Sequence, residues 1–429
     1  MKRLAYWLYI GIKKILPAVY FMYLFSMVIS MAGMEIFGWV GLFLTMYVGI
    51  YDYVVNNKNI FVKHPLNRWF LILACTLAIT VITAPYTAES GASKIYYFGR
   101  IRNLIFFSYH LIIFEHIFSY RKALKTLLWF MLPIVTYAIL QKLTGFDPIT
   151  GIWTMVWNPA INVAGIRQVF NLYLTYVNVF QFHFFIILSF ALIGKVGSKL
   201  RAFLILLAVM FLVSFLFSNS RAIVVAVFFA ILVQAALVRR WMYLLVIALM
   251  IAAPIVAYNV SYNFKLKADT TLANAGKLGD KIRYSVFTIH LAMFKDHPIK
   301  GVGYEMNEPL APIYIKKLTN IEVPFVGHAH NIIIQMLAGT GLLGTIPFLI
   351  LWGILFYMMF QAFHTAVRSG DWYNMALCHG LIGGFISFWI NGMTQWNFGD
   401  FEVTHNMIFF MAVVGYVWLK QKQVLGQSK

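Results

Sequence analysis

Residues 327–350 read GHAHNIIIQMLAGTGLLGTIPFLI. A polar run ending in His328, His330 and Asn331 passes without interruption into an apolar one. Counted on to residue 362, the apolar part carries no Asp, Glu, Lys or Arg. A membrane-spanning helix needs roughly 20 apolar residues, and 341–362 meets that length. Imidazole is the side chain whose ordinary pKa lies nearest neutrality, so it can take and return a proton there. The stretch therefore predicts a proton-handling group at a membrane surface.

The rest of the chain agrees with a membrane setting. Of its 429 residues 61% are hydrophobic and only 11% charged, and the mean hydropathy is +0.77. A water-soluble fold of this length could not bury so much apolar surface. Aromatic residues make up 17%, as expected where Trp and Tyr belt the membrane interfaces. The two cysteines, Cys75 and Cys378, lie inside apolar runs and make no disulfide framework. The first apolar run follows Lys13-Lys14, is long, and lacks a small-residue cleavage site, so it reads as a retained span.

Span-length runs predict an all-α polytopic membrane protein of about twelve transmembrane helices. They fall near 15–33, 36–55, 69–86, 100–119, 123–141, 169–193, 202–218, 222–238, 241–260, 341–362, 373–396 and 405–419. The chain 1–429 forms a single membrane domain, with one large loop at about 261–330. The first two spans are expected to turn at Gly33-Met34-Glu35. Ser218-Asn219-Ser220-Arg221 separates the seventh from the eighth.

Charge predicts the orientation. With the N-terminus inside, 19 of the 34 Lys and Arg residues lie on the inner side, and nine of the remaining 15 lie in the long loop. Long loops are weak orientation signals. Without that loop the comparison is 19 against six, so both termini are expected to be cytoplasmic. The net charge of +20 is thus divided between two membrane faces, and nucleic acid is not an expected partner.

Outer segments normally avoid Lys and Arg, yet Arg100, Arg102, Arg167 and Arg221 fall at outer span ends. The long loop adds nine more cations. An anionic ligand explains this placement; anchoring to lipid phosphate explains it equally for any one residue. Arg221 sits in a turn too short to carry it far into water. It can grip phosphate oxygens in bidentate fashion at the start of a helix, or snorkel to a headgroup. Arg283 lies on 280–297, where Ile282, Val286, Ile289 and Met293 have helical spacing. That segment is predicted to be an amphipathic helix on the membrane, ended by Pro298. Taken alone, Arg283 on it reads first as a solvated charge. Gly301-Val302-Gly303 predicts a tight turn, and 309–326, with three prolines, an irregular tract.

His330, beside Asn331 at the loop-to-span junction, is the leading candidate base, and His328 the second. Two histidines at i and i+2 without nearby Cys or carboxylate ligands make a weak zinc signal. No Walker loop, dinucleotide fingerprint, HExxH or external Asp-x-Asp pair occurs. The chemistry is therefore expected to need no nucleotide, cofactor or metal, with arginines neutralising any pyrophosphate.

Ser220-Arg221, Arg283, the run Pro298 to Tyr304 and His330-Asn331 followed by Gly339, Gly341 and Gly344 together resemble the O-antigen ligase and polymerase superfamily. The resemblance covers about 215–350 best. This chain departs in having His-Ala-His-Asn where a single Ser/Thr-His-Asn is commoner.

The resemblance implies a multispan, GT-C-type glycosyltransferase in the bacterial inner membrane with a periplasmic site. It implies an undecaprenyl pyrophosphate-linked glycan as donor and the lipid A core oligosaccharide as acceptor, among membrane lipids. It implies His330 as base, because it directly precedes Asn331, and Arg221 and Arg283 as pyrophosphate ligands. Arg100, Arg102, Arg167, His328, Asn331, Gly301, Gly303 and Tyr304 are further candidate substrate contacts. Ligation fits the basic outer face best. Polymerisation, protein-directed transfer and non-enzymatic transport of a lipid-linked sugar remain the alternatives.

Overall fold

The computed structural model describes residues 2–85, 94–144, 146–147, 152–153, 173–218, 220–260, 265–266, 269, 278–318 and 327–427. Among the described residues its regular elements are helices, apart from one two-residue antiparallel pairing of Phe146–Asp147 with Ile152–Trp153. Among the described residues, each expected span falls mainly on helix. In order these are α1 (Lys2–Ile29), α2 (Met31–Val54), α3 (Pro65–Ile82), α4 (Lys94–Ile101), α5 (Phe106–His116) and α6 (Tyr120–Thr144). There follow α7 (Tyr173–Ile193), α8 (Ser198–Phe217), α9 (Arg221–Val238) and α10 (Trp241–Val260). The long loop carries α11 (Leu278–Asp296) and α12 (Asn307–Lys317). The last three are α13 (Ile332–Ser369), α14 (Trp372–Gly392) and α15 (Phe401–Gln427).

Ten of these, among the described residues, are long and apolar enough to cross a membrane. The fourth expected span is broken, α4 passing through a 3-10 turn at Arg102–Ile105 into α5. The ninth, α10, has its apolar stretch over Trp241–Ala252. A backbone in hydrocarbon must satisfy its polar groups internally, which is why apolar runs of this length become helices.

Burial orders the helices. In the most apolar window of α7, α14 and α15, 83, 78 and 89% of residues are buried, against 33% for α3, α6, α8 and α9. The first three form the centre and the others turn a face to lipid. Small residues allow the central contact: a Cβ on Gly380 of α14 would lie 2.6 Å from the Ile186 Cα of α7.

Ion pairs form two layers at opposite helix ends. Arg100–Glu305 and Arg102–Glu35 lie at the end that carries His330. Lys13–Asp52, Arg121–Asp371 and Lys420–Glu115 lie at the other. Glu115, an acid inside an apolar run, is thereby placed at a helix end beside a cation.

Three local expectations change. The turn between the first two spans is at Ser30, whose side chain accepts from the Gly33 N–H at 3.1 Å. Gly33 to Glu35 therefore belong to the first turn of α2. The tract 309–326 is not irregular at its start, since Asn307–Lys317 is α12, with Leu310, Ala311 and Tyr314 buried on one face. Pro309 sits in its first turn, where an N–H has no helical partner to lose. Residues 319–326 lie outside the described residues. The helix expected at 280–297 is α11, but its stripe of Val286, Ile289 and Met293 is buried in the protein core, packed with α13.

The element that positions the site is α13. At Gly341 the helix breaks, with φ 57° and ψ −158°. The turn 298–303 enters the break and supplies the missing partners. Leu342 and Leu343 N–H donate to the Pro298 and Ile299 carbonyls at 2.9 Å, and Val302 and Gly303 N–H donate to Ala338 and Gly339 at 2.9 and 2.8 Å. Non-helical backbone at this depth is tolerated because protein, not lipid, meets it.

Candidate functional site

The site begins at the N-terminus of α13. Asn331 is its cap: the side-chain oxygen accepts from Ile333 and Ile334 N–H at 2.9 and 3.0 Å, the usual use of an Asn before a helix. Its amide donates to the Met393 carbonyl at 3.1 Å, which ties it to the turn 393–400 between α14 and α15. Asn331 is thus a structural joint.

His330 immediately precedes it with φ 48°. A left-handed backbone is uncommon outside glycine and clusters at functional sites. Its Nδ1 is buried and has no hydrogen-bond partner. Its side chain is hydrogen-bonded by Gln395. Burial, then the nearby Arg283 guanidinium, lowers its pKa below 6.5, with Gln395 acting in the opposite sense. The ring is therefore neutral at pH 7 and able to accept a proton.

His328 is in a different state. Its Nδ1 accepts the His330 N–H at 3.3 Å, and the two rings stand 4.2 Å apart, nearly perpendicular. Burial, then the neighbouring His330 and His290, pushes it down to about 3. So weak a base is poorly matched to neutral pH, and its Nδ1 already helps shape the turn. His290, on α11, is buried with Nδ1 on the Val286 carbonyl at 2.8 Å. Burial lowers it to about 4. Charge thus joins His290, His328, His330 and Arg283 in one group. No cluster of three His, Cys, Asp or Glu side chains among the described residues could hold a metal ion.

Arg221 opens α9 at the same end of the molecule and is exposed. No hydrogen bond or ion pair among the described residues ties it to His330 or Arg283, so the structure does not join Arg221 to this group. Arg167 lies outside the described residues. Arg100 and Arg102 are both engaged by protein. Arg100 donates to the Gly399 carbonyl and to Tyr96 Oη, and pairs with Glu305 at 3.3 Å. Arg102 pairs with Glu35 at 2.5 Å and lies over the Trp39 ring. Gly301, Gly303 and Tyr304 are buried against α13 and α3, where the Tyr304 N–H donates to Thr80 Oγ1 at 3.3 Å. Their contacts are with the protein itself, both backbone and side chains.

Three side chains were not singled out from the sequence. Gln335 donates to Asn307 Oδ1 at 3.1 Å and accepts the Ala329 N–H at 2.7 Å, joining the 303–307 turn to the histidine turn. Gln395 reaches His330 from a turn beyond α14. Glu305 also has a left-handed backbone, φ 58°, and burial pushes its carboxyl up to about 7 against the pull of Arg100. The one available signal was scarcity: the chain has only 14 acidic residues, and one of them directly follows Gly-Val-Gly-Tyr.

The arrangement offers a neutral imidazole with one guanidinium close to it, and Arg221 at the same end of the bundle. That set can take a proton from a hydroxyl and hold a polyanion. A family model described as O-antigen ligase matches residues 206–349, a segment containing Arg221, Arg283 and His330. No curated protein matches the chain. Over residues 206–349 the chain is thus similar to the O-antigen ligase family.

Proposed function

We propose that this protein is an O-antigen ligase of the bacterial inner membrane. On its periplasmic face it transfers a glycan from undecaprenyl pyrophosphate to a sugar of the lipid A core. The acceptor hydroxyl binds at the His330 ring. As its oxygen attacks the anomeric carbon, its proton passes to the imidazole. The bond from the anomeric carbon to the phosphate oxygen breaks, and its electron pair leaves with the lipid pyrophosphate. Arg283 and Arg221 neutralise that charge, a part that a metal plays elsewhere. A single displacement inverts the anomeric centre.

The observation that carries the reading is His330 itself. It is held in a left-handed backbone, kept neutral by burial and Arg283, and has an unpartnered Nδ1. The membrane setting and the family segment supply the substrate class. The exposed cations of α11 and α12 suit a phosphate-rich acceptor.

His330→Ala is expected to lower transfer by about 10²–10⁴-fold, the usual cost of a missing general base. The test uses purified protein with lipid-linked glycan and lipid A core. Near-normal transfer by that variant would remove His330 from the scheme. Extension of the donor glycan in place of transfer to the core would turn the reading to polymerisation. Movement of the lipid across vesicles with no new glycosidic bond would turn it to transport.

A further inference from the structure

Two turns that the sequence keeps apart meet on a third. His330 and Asn331 hold the turn 393–400 from one side, through Gln395 and the Met393 carbonyl. Glu305 and Arg100 hold it from the other: Arg100 donates to the Gly399 carbonyl, and Trp396, the neighbour of Gln395, hydrogen-bonds the Glu305 carboxylate. Gln335 closes the circuit between Ala329 and Asn307. Four non-glycine residues among those described have left-handed backbones. Arg239 caps the end of α9 and Asn57 lies in the turn after α2, places where such a backbone is common. The other two are His330 and Glu305.

Glu305 is set in that backbone by its neighbours. Gly303, with φ 110°, is pinned to Gly339, and Asn307 is held by Gln335. The side chain is 9% exposed and that of Arg100 31%. Nothing in the reaction scheme uses either residue, yet the fold accepts backbone strain and a partly buried ion pair to keep them there.

We propose that Glu305 and Arg100 are positioning residues for His330, acting through the turn 393–400. The pair clamps Gly399 and Trp396, and the clamped turn presents Gln395 to the imidazole. The inference rests on the reading of His330 as the base. The cavity beside the pair, of about 10 Å³, has room for about one water molecule and none for a sugar.

The test is a comparison of Glu305→Gly, Glu305→Gln and Gln395→Ala in the purified enzyme. Glycine suits the left-handed backbone, so Glu305→Gly removes the carboxylate and relieves strain together. It is expected to fold and to lose about tenfold to a hundredfold in kcat, the scale of a small misplacement of a catalytic group. Its KM for the lipid-linked donor stays within about twofold of the wild type. Gln keeps an acceptor for Arg100 and Trp396 and restores most of kcat.

The pH profile separates positioning from bulk stability. Arg283, His328 and His290 face His330. Arg100, Tyr304, Glu308 and Asp400 face Glu305. The Gln395 hydrogen bond raises the pKa of His330, so losing it moves the acid limb of kcat to lower pH. Gln395→Ala and Glu305→Gly are expected to show this same shift.

Wild-type kcat in Glu305→Gly overturns the proposal. So does a loss of kcat with the acid limb unmoved, which marks a merely structural role. His330→Ala in the same assay keeps the two claims separate. If it is inactive while Glu305→Gly is normal, only the clamp fails; if it is active, the reading of the base fails first.

Discussion

His328 and His330 differ by two positions and have the same side chain, and the backbone decides between them. His330 has φ 48° and an unpartnered Nδ1, whereas His328 spends its Nδ1 on the His330 N–H. No composition or spacing rule foretells which of two nearby residues takes the left-handed turn, so the sequence alone leaves both open. The positive charge of Arg283 gives a sharper test of the pair. A nearby cation disfavours imidazolium and lowers the pKa, second here to burial. A base works deprotonated, so activity is lost as pH falls through a limb lying below 6.5. Arg283→Gln removes the charge, raises the pKa and is expected to move that limb to higher pH. Arg283→Lys keeps the charge and the limb stays in place. Rate profiles of the two variants decide it, and an unmoved limb in Arg283→Gln separates Arg283 from His330.

At the scale of elements, periodicity identified α11 but not its partner. A 3.6-residue period says that one face is apolar; it does not say whether lipid or protein covers that face. Val286, Ile289 and Met293 meet α13 because the turn 298–303, which follows α11, is inserted into the break at Gly341. The glycines there were legible as a turn, but the docking they permit was not. A Cβ on Gly341 would lie 2.5 Å from the Ile299 carbonyl carbon, and one on Gly301 would lie 2.5 Å from Gly339 and Thr340 backbone. Backbone cannot swing aside as a side chain can. Gly341→Ala is therefore expected to destabilise by about 3 kcal/mol or more, combining left-handed strain with overlap. Gly353→Ala, on the same helix with nothing within 4 Å of its Cβ, is expected to be neutral or to stabilise by about 0.5–1 kcal/mol. Thermal unfolding in detergent measures both. Equal melting points for the two variants would mean that the break in α13 is not held by backbone contact.

At the scale of the molecule, the spans were legible because length and hydropathy are local properties, and local properties decide insertion into a bilayer. The convergence of the site was not, because its parts are remote in sequence: the Asn331 to Met393 hydrogen bond joins residues 62 apart. Charge counting adds something the packed helices cannot supply, which is a direction across the membrane. The bundle has two ionic ends: one with Asp52, Glu115 and Asp371, each beside a cation, and one with Arg100 and Arg102. The excess of Lys and Arg lies at the end without His330, and that end is expected to face the cytoplasm. Cysteine accessibility tests this directly. In a background lacking Cys75 and Cys378, Tyr284→Cys on α11, at a position 73% exposed, is expected to react in intact spheroplasts with a membrane-impermeant maleimide. Lys422→Cys, near the end of α15 and exposed, is expected to react only after the membrane is opened. The reverse pattern would place His330 in the cytoplasm, where a donor facing the periplasm could not reach it.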